Sequence, residues 1–490
     1  MRLPDWAYRA VWLWPALATL VVTGIQPDRA PLWRDELATW SAASRPVGDL
    51  LRLVGNIDAV NGAYYLLMHA WIAVLGDSVL ALRLPSALAM AGTAAFTTVL
   101  GGRLFGPRVG LLGGLLLAVL PSTSRFGQEA RPYALVTLLA VLATLLLVRA
   151  LHRPAWPCWL GYAATIAALG LANLFAVSLL AGHAVAVLLD RRDQHRRGGV
   201  PARWVRDGVP ARWLVAVGAA GLVLVPLAVL GRSQQGRQLD WVGRPGLAAL
   251  VGLPGSVVQA GIVGGLLFGL AAVGAASRGR WGAVLGLTVL LPAALLFVAG
   301  QLTPLFVPRY LVFVVPFGAL LAAATLAPLR LPAALAIVLA AGVIGAPEQA
   351  ALRRTHESPR TAPVDYPAAV RIIAAHRQPG DGILYAPRDG WAFLDLAIAY
   401  YLPAGRPRDV LLAQDQVRRA DLWATECAQP ERCLEPVDRL WLLVWGEHAD
   451  PLAGVPASRA DPLRARFGVD RRWTVPGLTV ALLTPRPARR

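Results

Sequence analysis

Residues 17–36, LATLVVTGIQPDRAPLWRDE, carry an apolar run straight into the charged triplet Arg34-Asp35-Glu36. The run belongs to a hydrophobic segment of about 16 residues, roughly Ala10–Ile25, long enough to cross a bilayer core with some thinning. Two adjacent carboxylates just past such a segment are costly to hold there, and ionisable groups at a membrane boundary mark function by default. The triplet poses a choice. Either Asp35 is a base facing a lipid-borne substrate, or it is only an interfacial ion pair with Arg34.

The rest of the chain places the triplet in a polytopic membrane protein. Of 490 residues, 56% are hydrophobic, and the mean hydropathy of +0.53 is rare in a soluble protein of this length. Apolar runs recur up to residue 346, and eleven of them read as spans: 10–26, 82–102, 108–121, 132–149, 157–172, 174–189, 213–231, 254–276, 281–300, 310–327 and 331–346. Arg2 and Arg9 precede the first run as they would in a signal peptide, but no small-residue cleavage site follows, so an uncleaved first span is expected.

The net charge is +18, and all 47 residues counted as Lys or Arg are arginine. Much of that charge lies in loops between apolar runs, which points to orientation in the bilayer and away from nucleic acid as a partner. Loop 190–212 carries Arg191, Arg192, Arg196, Arg197, Arg203, Arg206 and Arg212, and so predicts a cytoplasmic loop. By parity Arg103/Arg108, Arg149/Arg153 and Arg278/Arg280 fall on the same side. The N-terminus is then inside, and loops 27–81, 122–131 and 301–309 face out with the C-terminal region. Gly62–Gly76, GAYYLLMHAWIAVLG, reads as a helix lying in the interface, with a short span as the rival reading.

Beyond residue 346 the composition becomes more polar. Val364–His376 and Trp391–Leu402 read as helices, and Gly382–Ala386 and Leu440–Trp445 as buried strands, which predicts a small α/β domain at 347–490 with neither a P-loop nor a GxGxxG stretch. Cys427 and Cys433 are close in sequence and can form a disulfide if this region lies outside the cell; Cys158 borders an apolar run and reads as inert.

On this topology three polar groups face the same side: Arg34-Asp35-Glu36, Gln128-Glu129-Ala130-Arg131-Pro132-Tyr133 and Pro308-Arg309-Tyr310, with Asp58 and Asn61 nearby in the outer loop. A transferase using a lipid-linked sugar needs a carboxylate to take a proton from a weakly nucleophilic hydroxyl. It also needs arginine or a metal against the charge of a departing phosphate. Asp35 fits the base, and Arg131 and Arg309 fit the phosphate clamp. Glu129 can orient the acceptor or share a divalent metal with Asp35. Plainer readings stand beside these: an Arg34–Asp35 surface pair, Glu36 as a solvated neighbour or a helix N-terminal charge, a Glu129–Arg131 local pair, Arg309 and Tyr310 as interfacial anchors, a packed or interfacial His69, and Asp58 as a helix cap. They leave unexplained why the groups share one side.

In order along the chain, these elements resemble the GT-C glycosyltransferases, in the branch of protein O-mannosyltransferases and bacterial aminoarabinose transferases (family 39). The matching stretches are Trp33-Arg34-Asp35-Glu36, Tyr64-Tyr65-Leu66-Leu67-Met68-His69-Ala70-Trp71, Ala81-Leu82-Arg83-Leu84-Pro85-Ser86-Ala87-Leu88, Gly102-Arg103-Leu104-Phe105-Gly106, Gln128–Leu135 and Pro308-Arg309-Tyr310. The resemblance is dense over 30–150 and thin afterwards. It implies a GT-C membrane protein of about eleven transmembrane helices, N-in and C-out, with an extracytoplasmic α/β domain. It also implies an inverting transferase that moves a sugar, mannose as first choice, from a polyprenyl-phosphate donor to a glycan, lipid or protein acceptor at the outer face of the cell membrane. Asp35 is then the base, Glu129 lines the same cavity, and Arg131, Arg309 and Tyr310 meet the donor phosphate. Glu36, Asp58, Asn61, Tyr65 and His69 are secondary, and a divalent metal accompanies some members. Relatives often carry Asp-x-His-Pro-Pro before the Tyr-Tyr pair; this chain has Asp58-Ala59-Val60-Asn61-Gly62-Ala63 instead, without that histidine or either proline. A polytopic transporter or lipid flippase is the rival class. It predicts inverted repeats and acids inside the bundle, whereas no internal repeat is found and the acids cluster in loops.

Overall fold

The computed structural model describes residues 10–196, 208–357, 360, 362–434 and 437–486. Arg2, Arg9 and residues 197–207 of the basic loop 190–212 lie outside the described residues. The chain forms two compact units that are not contiguous in sequence. One holds residues 1–27, 58–64 and 80–353, the other 28–57, 65–79 and 354–490.

The first unit is helical. Among the described residues five helices are long and apolar enough to cross a membrane: Val79–Phe105, Tyr133–His152, Val209–Gln238, Gly279–Leu302 and Pro308–Leu326. Two bent pairs bring the number to seven, Pro107–Val119 with Pro121–Gly127 (66°) and Leu331–Ile344 with Ala346–Leu352 (43°). The other expected spans coincide with shorter apolar helices, including Leu13–Gly24, Trp156–Ala172 and Gly261–Ser277. Their shortness has local causes. Asn173 leaves helical geometry and its side chain accepts from the Phe175 N–H, ending Trp156–Ala172. Gln259 has φ +66°, which separates Leu253–Val258 from Gly261–Ser277.

Helix Val209–Gln238 keeps Leu214, Leu222, Val225 and Val229 exposed. A 30-residue helix with an uncovered apolar face suits lipid as its neighbour. Helix Val315–Leu326, by contrast, buries nearly every residue, Phe317 and Leu320 included. Small residues permit close helix crossings: a Cβ on Gly110 would lie 2.8 Å from the Gly102 nitrogen, and one on Gly101 2.8 Å from Gly110 Cα. Some buried polar groups in this unit hydrogen-bond across helices. The His183 ring joins Thr144 at 3.0 Å and Tyr162 at 2.9 Å, and Trp213 Nε1–H donates to Tyr162 Oη.

The second unit is α/β. Its strands are β1 (Gly382–Ala386), β2 (Arg408–Asp409), β3 (Leu412–Gln414), β4 (Thr425–Glu426), β5 (Leu440–Trp445), β6 (Phe467–Val475) and β7 (Leu478–Pro485). The main sheet has the order β2-β1-β5-β7-β6, and β3 pairs with β4 apart from it. Strand β1 is parallel to β2 and β5, whereas β7 is antiparallel to β5 and β6. The two strands expected from sequence, β1 and β5, are adjacent, buried and interior in this sheet. Leu384, Leu440, Leu442, Val444 and Leu483 form its core. Helix Tyr366–His376 is capped by Asp365, whose side chain accepts from the Ala368 N–H. Cys427 and Cys433 are disulfide-bonded. Helices Arg34–Ala43 and Val47–Asn56 also belong to this unit. Helix Gly62–Leu75 has 14 residues, about 21 Å at helical rise, short of a hydrocarbon core.

Candidate functional site

The sequence-derived site residues fall into two sets, one per unit. Asp35, Glu36, Tyr65 and His69 are in the α/β unit; Asp58, Asn61, Glu129, Arg131, Arg309 and Tyr310 are in the helical unit.

In the α/β unit, Arg34-Asp35-Glu36 opens the helix Arg34–Ala43. The two acids therefore sit in its first turn, where the unsatisfied N–H groups and the helix dipole favour negative charge. Glu36 is fully buried and is not a solvated neighbour. Its carboxylate accepts from the Trp33 N–H at 3.4 Å, the return half of a capping box. The same oxygen lies 3.7 Å from His356 Nδ1, also buried. Arg34 Nε meets Glu357 Oε2 at 3.3 Å. Asp35, half-buried, thus lies between two residues that are each tied to the segment 355–357. Leu32 N–H donates to Tyr401 Oη at 2.7 Å and fixes the approach to the helix. Tyr366 lies in the field of the same charges: burial pushes its hydroxyl well above the usual phenol range, and the Glu357 and Asp35 carboxylates add to this against Arg34.

Tyr65 is fully buried near Arg45, whose guanidinium donates to the Asp421 carbonyl at 2.8 Å. His69 Nδ1 bonds the Ala43 carbonyl at 2.9 Å, so this ring closes the far end of the helix that Asp35 opens.

In the helical unit, Glu129 is 1% exposed and pairs with Arg125 at 2.9 Å. Ser86 Oγ donates to the Glu129 carbonyl at 2.6 Å, and Gln128 Nε2 donates to the Thr23 and Ile25 carbonyls. The 128–133 segment is thereby fastened to helix Val79–Phe105 and to the end of helix Leu13–Gly24. Arg131 is 9% exposed. The structure brings the third motif to the second: Tyr133 stacks on Tyr310 at 6.5 Å, and Tyr310 stacks on Phe175 at 5.1 Å. Arg309 lies over the Trp241 ring at 5.5 Å, a cation–π contact. Asp58 has φ +61° and its side chain does not cap the following turn; Oδ1 accepts from Asn61 Nδ2 (2.7 Å) and Gln238 Nε2 (2.8 Å).

Sequence reasoning missed Arg125, His356, Glu357, Tyr401 and Gln238. A signal existed for some of them. Arg125 stands one helical turn before Glu129, and Arg353-Arg354-Thr355-His356-Glu357 is a charged boundary after the last apolar run, of the kind that raised attention at Asp35. Tyr401 and Gln238 carry no such mark.

Among the described residues no group of three or more His, Cys, Asp or Glu side chains could hold a metal ion. Glu129 already faces Arg125. The described residues do not fit a divalent metal held by three or more such side chains.

With this geometry in hand, likenesses to known proteins can be weighed. Residues 63–199 match the family model described as dolichyl-phosphate-mannose-protein mannosyltransferase. No curated protein matches the chain. Among solved structures, ArnT from Cupriavidus metallidurans in the apo state is similar with a TM-score of 0.64 and 14% identity, over 96% of this chain and 97% of that one. The same protein bound to undecaprenyl phosphate gives 0.60 and 14%, over 96% and 98%. The Archaeoglobus fulgidus oligosaccharyltransferase in complex with Zn and sulfate gives 0.50 and 14%, over 96% and 72%. The class is therefore a helical membrane protein of GT-C fold with a C-terminal α/β region. Within that class the chain resembles the branch that contains protein O-mannosyltransferases and aminoarabinose transferases.

Proposed function

We propose that this protein is an inverting glycosyltransferase that moves a sugar from a polyprenyl-phosphate donor to an acceptor hydroxyl at the outer face of the cell membrane. The observation that carries the reading is Asp35: a half-buried carboxylate in a helix first turn, flanked by the Arg34–Glu357 and His356–Glu36 contacts, in a chain of GT-C fold. A base needs a fixed direction and partial access, and this position supplies both.

Asp35 takes the proton of the acceptor hydroxyl as its oxygen attacks the anomeric carbon. The bond from that carbon to the phosphate oxygen breaks with inversion, and Arg131 and Arg309 with Tyr310 stabilise the departing polyprenyl phosphate. Glu129 orients Arg125 and the 128–133 segment. No step is routed through a metal. Residues 1–346 form the transferase module in this reading, and 347–490 an outer domain that binds the acceptor. The Cys427–Cys433 disulfide supports an oxidising, extracytoplasmic side for that domain. Binding of undecaprenyl phosphate by the similar ArnT supports the lipid class of the donor, and the name of the matched family supports mannose.

Membranes carrying the protein, supplied with labelled polyprenyl-phosphate mannose, should transfer label to an acceptor. Asp35→Asn should insert normally and transfer none, a loss of at least about 1,000-fold for a missing base. Full transfer by that variant would sink the mechanism.

A further inference from the structure

Helix Tyr133–His152 begins just after Glu129, helix Val79–Phe105 bonds the Glu129 carbonyl through Ser86 about two turns from its start, and both end at a second polar feature. Twenty residues of helix put His152 about 30 Å from Tyr133, so this feature lies across the bilayer from the candidate transfer residues of the helical unit. It is a cavity of about 480 Å³ lined by Arg103, Val148, Arg149, His152 and Arg153. The three arginines and the histidine are exposed, and among the described residues no acidic residue lines the cavity.

Other arginines at this end are already engaged by the protein. Arg108 donates to the Leu329 carbonyl, Arg278 to the Ala324 carbonyl, and Arg212 to the Pro154 carbonyl, while Arg280 pairs with Asp190 at 3.1 Å. The Arg103, Arg149 and Arg153 side chains have no hydrogen-bond or ion-pair partner among the described residues. Positive charge at a loop explains orientation, and basic residues in a last helical turn suit the helix dipole. Neither explains three guanidinium groups gathered around one concavity at the membrane boundary. Their fork geometry matches a phosphate, and basic pockets between membrane helices hold lipid headgroups.

We infer that this cavity binds the phosphate of an anionic membrane phospholipid, a site separate from the transfer centre. The full chain, reconstituted in phosphatidylcholine nanodiscs with a minor fraction of phosphatidylglycerol and then extracted, would be weighed by native mass spectrometry for retained lipid. The wild type should retain phosphatidylglycerol in preference to phosphatidylcholine, and excess inorganic phosphate should leave it in place. Arg103→Gln/Arg149→Gln/Arg153→Gln should weaken retention about 100-fold, as expected for three surface arginines. Arg103→Lys/Arg149→Lys/Arg153→Lys, which keeps the charge that orients the chain, should stay within about tenfold of the wild type. Equal retention of the two lipids by the wild type overturns the inference without recourse to any variant. So does unchanged retention by the glutamine variant. Displacement by inorganic phosphate would assign the cavity to a soluble anion and overturn the lipid site.

Discussion

Asp35 is held in place by residues that the chain supplies more than 300 positions later. Glu357 holds Arg34, and His356 faces Glu36. Under the proposed reaction these are positioning residues, acting on Asp35 through its two neighbours. Glu357→Gln leaves the shape and removes the charge. It should lower kcat about tenfold, about 1.4 kcal/mol of barrier, with KM for the donor nearly unchanged. The Arg34→Gln/Glu357→Gln double variant should lose little more than either single one, because both remove the same pair. An unchanged kcat in Glu357→Gln would show that the pair does not act on Asp35. At this scale the sequence singled out candidate residues, because acids beside an apolar run stand out against their surroundings. It did not show their partners: a carboxylate reads the same whether it meets solvent, as expected for Glu36, or a buried imidazole, as found.

Elements were legible where burial was uniform. Gly382–Ala386 and Leu440–Trp445 are apolar at nearly every position and bounded by turn residues, and they form β1 and β5 as read. Strand β6, FGVDRRWTV, was missed because it is an edge strand with most of its length exposed and no clean alternation, and β7 was missed although its first six residues are buried. Breaks inside apolar runs were equally silent, since a left-handed Gln259 changes direction without changing hydropathy. Close helix crossings can be tested at Gly110, where a side chain would meet the Gly102 backbone. Gly110→Val should cost about 1–3 kcal/mol, seen as a lower unfolding temperature of the purified chain; an unchanged temperature would refute the crossing.

Within the α/β unit, buried Arg388 is ringed by Asp395, Asp409 and Glu426, an ion-pair network joining β1, β2 and β4 to helix Leu394–Tyr401. Burial raises the Asp395 carboxyl above its usual range, and the Arg388 guanidinium opposes this. The folded state then binds this proton more tightly than the unfolded chain. The resulting stability is complete below the ordinary carboxylate range and is lost as pH rises through the raised value. From about pH 4 to about pH 7, the unfolding temperature should therefore change less favourably in the wild type than in Asp395→Asn. Superimposable pH profiles would rule this out.

At the scale of the whole molecule, a compact unit draws residues 28–57 and 65–79 together with 354–490. The bonds that do so are long-range: Leu32 to Tyr401, Arg45 to Asp421, Asn56 to Ala420, and Arg34 to Glu357. Orientation in the membrane is tested at this level. A reporter fused after the last residue should be active only outside the cytoplasm, and a cytoplasmic signal would overturn the N-in, C-out reading.

By itself the sequence determined the membrane class, the α/β character of the C-terminal region, and the motifs around Asp35, Glu129 and Arg309. Each of those is written in local hydropathy or in charges set against an apolar background, which a linear reading detects. Only the tertiary structure decided that residues 355–357 brace the Asp35 helix, that Tyr310 stacks on Tyr133, and that Arg103, Arg149 and Arg153 surround one cavity. Those pairings join distant segments or choose among several chemically equivalent arginines. The choice is made by packing and by the cost of leaving a buried charge unpaired, which no local pattern encodes.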